Sequence, residues 1–142
     1  MALTGGLSIG HSPPVAGAVP PAERFLREAS ANNLFASQSS ELALTSSHDP
    51  DVQAFARGMV DRRPLLTRQL RAAVGPSNWG MIVNEGSSGA FQARIPQLMF
   101  AAQKGDFDRA FLQSQVEASA ALKADLEEFI RSPPPRKGCA RR

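Results

Sequence analysis

The sequence is poor in the residues on which most enzyme and metal chemistry depends. It has no tyrosine, one tryptophan, one cysteine and two histidines among 142 residues. The single cysteine, Cys139, excludes an internal disulfide framework and a cysteine-based zinc cluster. The histidines, His11 and His48, lie off every apolar helix face, so neither a catalytic triad nor a histidine metal centre is predicted. No apolar run reaches the ~18 residues that suggest a membrane span.

The positive charge of the chain is concentrated at its C-terminal end. The net charge is +3, from 16 basic and 13 acidic residues. Residues 131–142 contain five basic and no acidic residues, so the preceding 130 hold 11 basic and 13 acidic ones, a net −2. Five charges without an aromatic residue would bind nucleic acid or anionic lipid weakly. The sequence therefore gives no strong indication of nucleic-acid binding, and we expect the basic C-terminal tail to increase solubility.

Apolar periodicity and capping residues predict four helices. Asp49 is a favourable N-cap for the second helix, and Gly75 and Gly105 are expected to end the second and third. Pro64, inside the second helix, lacks a backbone N–H and predicts a kink. A long loop is expected over 75–95, with a helical turn near 90–94. The predicted helices, the last capped by Asp106, cover residues 22–46, 50–74, 96–104 and 107–131.

The second and fourth helices each carry one apolar face, which predicts an all-α, up-down four-helix bundle. The second helix is mainly basic and the fourth mainly acidic, so we expect these two to pack as neighbours. The domain is predicted over residues 22–131, with a disordered leader at 1–21 and a disordered basic tail at 132–142.

Two motifs carry a family resemblance. The first is Asp49-Pro50-x-Val52-x-x-Phe55-Ala56-x-x-Met59-Val60-Asp61, and the second is Gly105-x-Phe107-Asp108-x-Ala110-Phe111-x-x-x-x-Val116. Together they resemble the bacterial domain-of-unknown-function family 4142, over roughly residues 25–131. The resemblance implies a ferritin-like four-helix bundle, mostly found in exported proteins.

The sequence departs from the family pattern at the positions that the resemblance implies for metal ligands. Arg63 and Ser119 stand where the family typically has histidines, and Ala36 and Gln38 stand where it has glutamates. No Glu-x-x-His pair, which a ferritin-like di-metal centre uses, occurs in the chain. The resemblance therefore predicts a degenerate metal site, with no metal and no other cofactor.

Arg63 allows two interpretations. It is either a buried cation, paired with a carboxylate or hydrogen-bonded to Gln38, Gln115 or Ser119, or an exposed side chain that reaches solvent. In the first case these four residues would line an interior pocket for a small ligand or anion.

Three functions follow in order of preference. The first is a non-enzymatic structural or interaction protein with a protein partner or a second copy of itself. The second is a small-ligand or anion-binding bundle using the pocket around Arg63. The third is a metal-binding ferritin-like protein, if the ligand alignment is wrong. No catalytic residue is predicted, and the stretch 86–89 lacks the Lys-Ser/Thr pair of a phosphate-binding loop.

The leader does not predict a signal peptide, because it has no basic n-region and glycine and proline interrupt its apolar residues. The family resemblance implies a periplasmic or exported protein if the true start lies upstream.

Overall fold

The computed structural model describes residues 20–75 and 91–132. Within these ranges it contains four helices and no strand, so the predicted all-α four-helix bundle is confirmed. The predicted leader up to residue 19, the stretch 86–89, and the tail from residue 133 with Cys139 lie outside the described residues. The helices are α1 (Pro21–Ser46), α2 (Pro50–Val74), α3 (Arg94–Gln103) and α4 (Phe107–Arg131).

Within the described ranges, no helix combines the length and the apolar composition that a membrane span requires.

Local signals place most of the helix ends correctly. The Asp49 carboxylate accepts hydrogen bonds from the backbone N–H groups of Asp51 (2.8 Å) and Val52 (3.2 Å), as expected of an N-cap. Gly75 and Gly105 follow α2 and α3 with φ values of +84° and +75°, a region that favours glycine. Both predicted stop positions are confirmed.

Two helix starts differ from their predictions. The third helix begins at Arg94, two residues before Pro96. Pro96 is tolerated there because the first four N–H groups of a helix have no intrahelical partner to lose. Asp106 precedes α4, but its side chain makes no capping hydrogen bond and instead lies 3.5 Å from the Arg109 guanidinium. Pro64 lies inside α2, which continues through it.

Helix α1 lies at the centre of the bundle and contacts each of the other three helices. It is buried over most of its length, yet Phe35 is the one large apolar side chain among its buried residues. Small side chains allow neighbouring helices to approach α1 closely on more than one side. The buried residues of α1 are Ala29, Ser30, Ala31, Asn32, Phe35, Ala36, Ser37, Ser39, Ser40 and Ala43.

The predicted pairing of the basic and acidic helices is wrong. Helices α2 and α4 both pack on α1 and scarcely contact each other, apart from an edge contact between Phe55 and Phe111 with ring centroids 6.1 Å apart. The ion pairs between helices run elsewhere. In the described part of the chain they join Arg63 to Glu41, Arg94 to Glu117, and Arg24 to Glu128. The central position of α1 separates the two charged helices.

The short third helix leaves part of the apolar surface uncovered. Its 10 residues span about 15 Å, against about 37 Å for the 25 residues of α2 or α4. Over much of the bundle, therefore, α3 cannot cover its neighbours. In α2 the buried residues are Val52 and Ala56, whereas Phe55 and Leu66, which the helical period places on the same face, are exposed.

Ala56 of α2 is fully buried in the core cluster. Because α1 and α2 pack closely, we expect that a larger side chain is not tolerated at this position. We expect Ala56→Leu to destabilise the protein by about 1–3 kcal/mol, because the added atoms have no space at a small-residue helix crossing. Denaturant unfolding measures this change. The matched control is Ala54→Leu on the exposed side of α2, where a change within about 0.5 kcal/mol is expected. Equal effects at the two positions would contradict the close approach.

Candidate functional site

The structure resolves the two interpretations of Arg63. Its Nη1 lies 3.2 Å from Oε1 of Glu41 on α1, and the two side chains are 41% and 53% exposed. Arg63 is thus a half-exposed cation paired across the α1–α2 surface, close to the exposed interpretation. Sequence reasoning did not name Glu41, because nothing local specifies which residue of α1 lies opposite Arg63.

Gln115 is buried, as predicted, but its partner lies on α1. Its Nε2 donates to the Ser39 hydroxyl (2.8 Å), which in turn donates to the Phe35 carbonyl (2.7 Å). A second bond joins the same helices, from Asn32 Nδ2 to the Ala118 carbonyl (2.6 Å). These buried polar groups satisfy one another, so they hold the register of the antiparallel α1–α4 pair.

The four predicted site residues do not form an interior pocket. Ser119 is exposed on α4 and Gln38 is half-buried on α1. The position of Ser119 follows from helix geometry. Its neighbour Ala118 is buried against α1, and one residue further along a helix is a rotation of about 100°. The interior assignment of Ser119 is therefore corrected.

A surface cavity of about 480 Å³ lies between α3 and α4, where the sequence predicted no site. Arg94 Nη1 lies 2.7 Å from Glu117 Oε2 across it, and the Arg94 guanidinium lies over the Phe91 ring at 5.3 Å from its centroid. Gln97 and Gln113 also line this cavity. It could accept a small polar molecule, although its one cation is already paired. The sequence predicted only a helical turn near 90–94 within a loop over 75–95, and nothing in it indicated that Arg94 lies opposite Glu117.

The described residues contain no group of three or more His, Cys, Asp and Glu side chains that could hold a metal ion. The positions that the resemblance implies for ligands carry neutral or cationic groups, at Ala36, Gln38, Arg63 and Ser119. Among these positions none offers a carboxylate or an imidazole.

Comparison with known protein families matches the model "Domain of unknown function (DUF4142)" over residues 11–133, most of the chain. The chain belongs to this family. No curated protein matches it, and no solved structure does. Membership in DUF4142 agrees with the four-helix fold and names no activity.

The exposure of Arg63 predicts a small effect of its removal. We expect Arg63→Met to change the free energy of unfolding by less than about 1 kcal/mol, because half-exposed ion pairs contribute little. Thermal and denaturant unfolding test this. A loss of several kcal/mol would indicate a buried, structurally required cation instead.

The buried bond of Gln115 predicts a larger effect. Gln115→Ala removes the hydrogen bond to Ser39 and leaves a void beside α1, so we expect a loss of about 1–3 kcal/mol. Gln113→Ala, two residues away on the exposed surface, is the matched control and should change stability by about 0.5 kcal/mol or less. Similar losses for the two variants would argue against the α1–α4 register bond.

Proposed function

We propose that this DUF4142 chain is a non-enzymatic interaction protein that binds a protein partner through the outer surface of α4. The observation that carries the proposal is a set of large apolar side chains on α4 that the bundle does not cover. Val116 is 69% exposed and Ile130 is 71% exposed, and Leu112 and Leu126 are exposed on the same side. Single exposed apolar residues are ordinary on protein surfaces, whereas several of them on one side of a helix are typical of an interaction site.

These residues lie at positions whose spacing is typical of two helices packed side by side. We define the outer stripe as Leu112, Val116, Ser119, Lys123, Leu126 and Ile130. Successive members are four, three, four, three and four residues apart, the repeat with which one helix packs along another. Helix α4 thus carries two apolar faces: one, with Phe107 and Phe111, is buried in the bundle, and the other is the outer stripe.

The surroundings of Arg63 and the interior of the bundle support the two alternative functions less well. An anion at Arg63 would have to displace the Glu41 carboxylate, which already holds the guanidinium at 3.2 Å. Gln115 is similarly engaged with Ser39. A ferritin-like metal centre would need carboxylates or imidazoles at positions that carry other groups in this chain.

Site-specific photo-crosslinking in the cells that produce the chain tests the proposal. A photoreactive residue replaces Val116 in the outer stripe or, as the matched control, the exposed Ala54 on α2. We expect a covalent protein adduct from position 116 and none from position 54. Absence of an adduct at position 116, or equal labelling at both positions, would overturn the proposal.

A further inference from the structure

Six positions spaced four, three, four, three and four residues apart are always symmetric about their centre, here residue 121, so the information lies in the residue types at matching positions. Leu112 and Ile130 lie nine residues on either side of this centre, Val116 and Leu126 lie five, and Ser119 and Lys123 lie two. Large apolar residues therefore occupy both ends of the stripe, and its two polar residues flank the centre. A two-fold axis through the centre would place each residue opposite its counterpart in a second α4.

We propose that the partner of the outer stripe is a second copy of this chain, packed antiparallel through α4. This inference rests on the proposed function, which makes the stripe an interaction surface. In the dimer, Leu112 packs on the partner's Ile130 and Val116 packs on the partner's Leu126. Because the axis generates each contact twice, eight exposed apolar side chains become covered.

The polar centre of the stripe favours the antiparallel orientation. A parallel, in-register pair would place Lys123 against the same lysine of the second copy, bringing like charges together. The antiparallel pair places Lys123 opposite the small Ser119, over which the lysine stem can lie while its ammonium reaches solvent. Lys123 Nζ also lies 3.9 Å from Glu127 Oε1 on its own helix, so an acidic group accompanies each lysine. A polar pair within an apolar seam is a known determinant of helix register.

The area of the outer stripe limits the affinity of the dimer. The stripe extends over 18 residue steps, about 27 Å, on a helix roughly 10 Å wide. One α4–α4 contact thus covers roughly 300 Å² on each copy, below the ~800 Å² per partner of a standard stable interface. We therefore expect a weak dimer that forms reversibly as concentration rises.

Sedimentation equilibrium of the full chain over a wide concentration range tests the dimer, with Cys139→Ser removing the free thiol. The average mass should rise from one copy toward two. The double variant Val116→Gln/Ile130→Gln should remain a monomer throughout, with unchanged circular dichroism because both side chains are exposed. Ala124→Gln, at an exposed position of α4 outside the stripe, should dimerise normally. A monomeric parent chain, or a double variant that still dimerises, would overturn the inference.

Disulfide trapping tests the orientation in the same Cys139→Ser background. Ser119→Cys and Lys123→Cys are prepared separately and oxidised alone or as a mixture. The antiparallel pair predicts efficient cross-linking in the mixture and little in either variant alone. Efficient self-cross-linking of each variant alone would indicate parallel pairing and overturn the antiparallel dimer. A monomeric chain that nevertheless gives a photo-adduct with a different protein at position 116 would overturn the second copy as partner and leave the proposed function standing.

Discussion

The burial of α1 against three other helices is the constraint on which the rest of the structure depends. A central helix can accept neighbours on several sides only if its side chains are small, and alanine and serine occupy most of its buried positions. The cost of burying so many polar atoms is limited by specific pairing. Ser39 bonds to Gln115, and Asn32 bonds to the Ala118 carbonyl. Close packing and paired polar groups together hold α1 to α4.

The central position of α1 decides which surfaces remain exposed. It separates the basic α2 from the acidic α4, so the charges of these helices meet solvent or other helices instead of each other. The short α3 covers less than half the length of α4. Val116 and Ile130 are large apolar residues on the outer side of α4, and they remain exposed to solvent.

Two of the polar side chains that the sequence suggested as a ligand site already have partners within the protein. In the interior, Gln115 is engaged by Ser39, and at the α1–α2 surface Arg63 is engaged by Glu41. Membership in DUF4142 assigns a fold and no chemistry. The outer stripe of α4, by contrast, carries four exposed large apolar residues at a regular spacing, with two polar residues between them.

The sequence by itself determined the features that depend on local interactions. The cap at Asp49, the stops at Gly75 and Gly105 and the number of helices follow from groups within a few residues of one another along the chain. Tertiary structure decided which helices are neighbours, and with it the partner of Arg63 and the exposure of Ser119. Those outcomes depend on the distances and rotations at which helices pack around α1. Such quantities arise from contacts between residues far apart in the chain, and the periodicity of a single helix does not contain them.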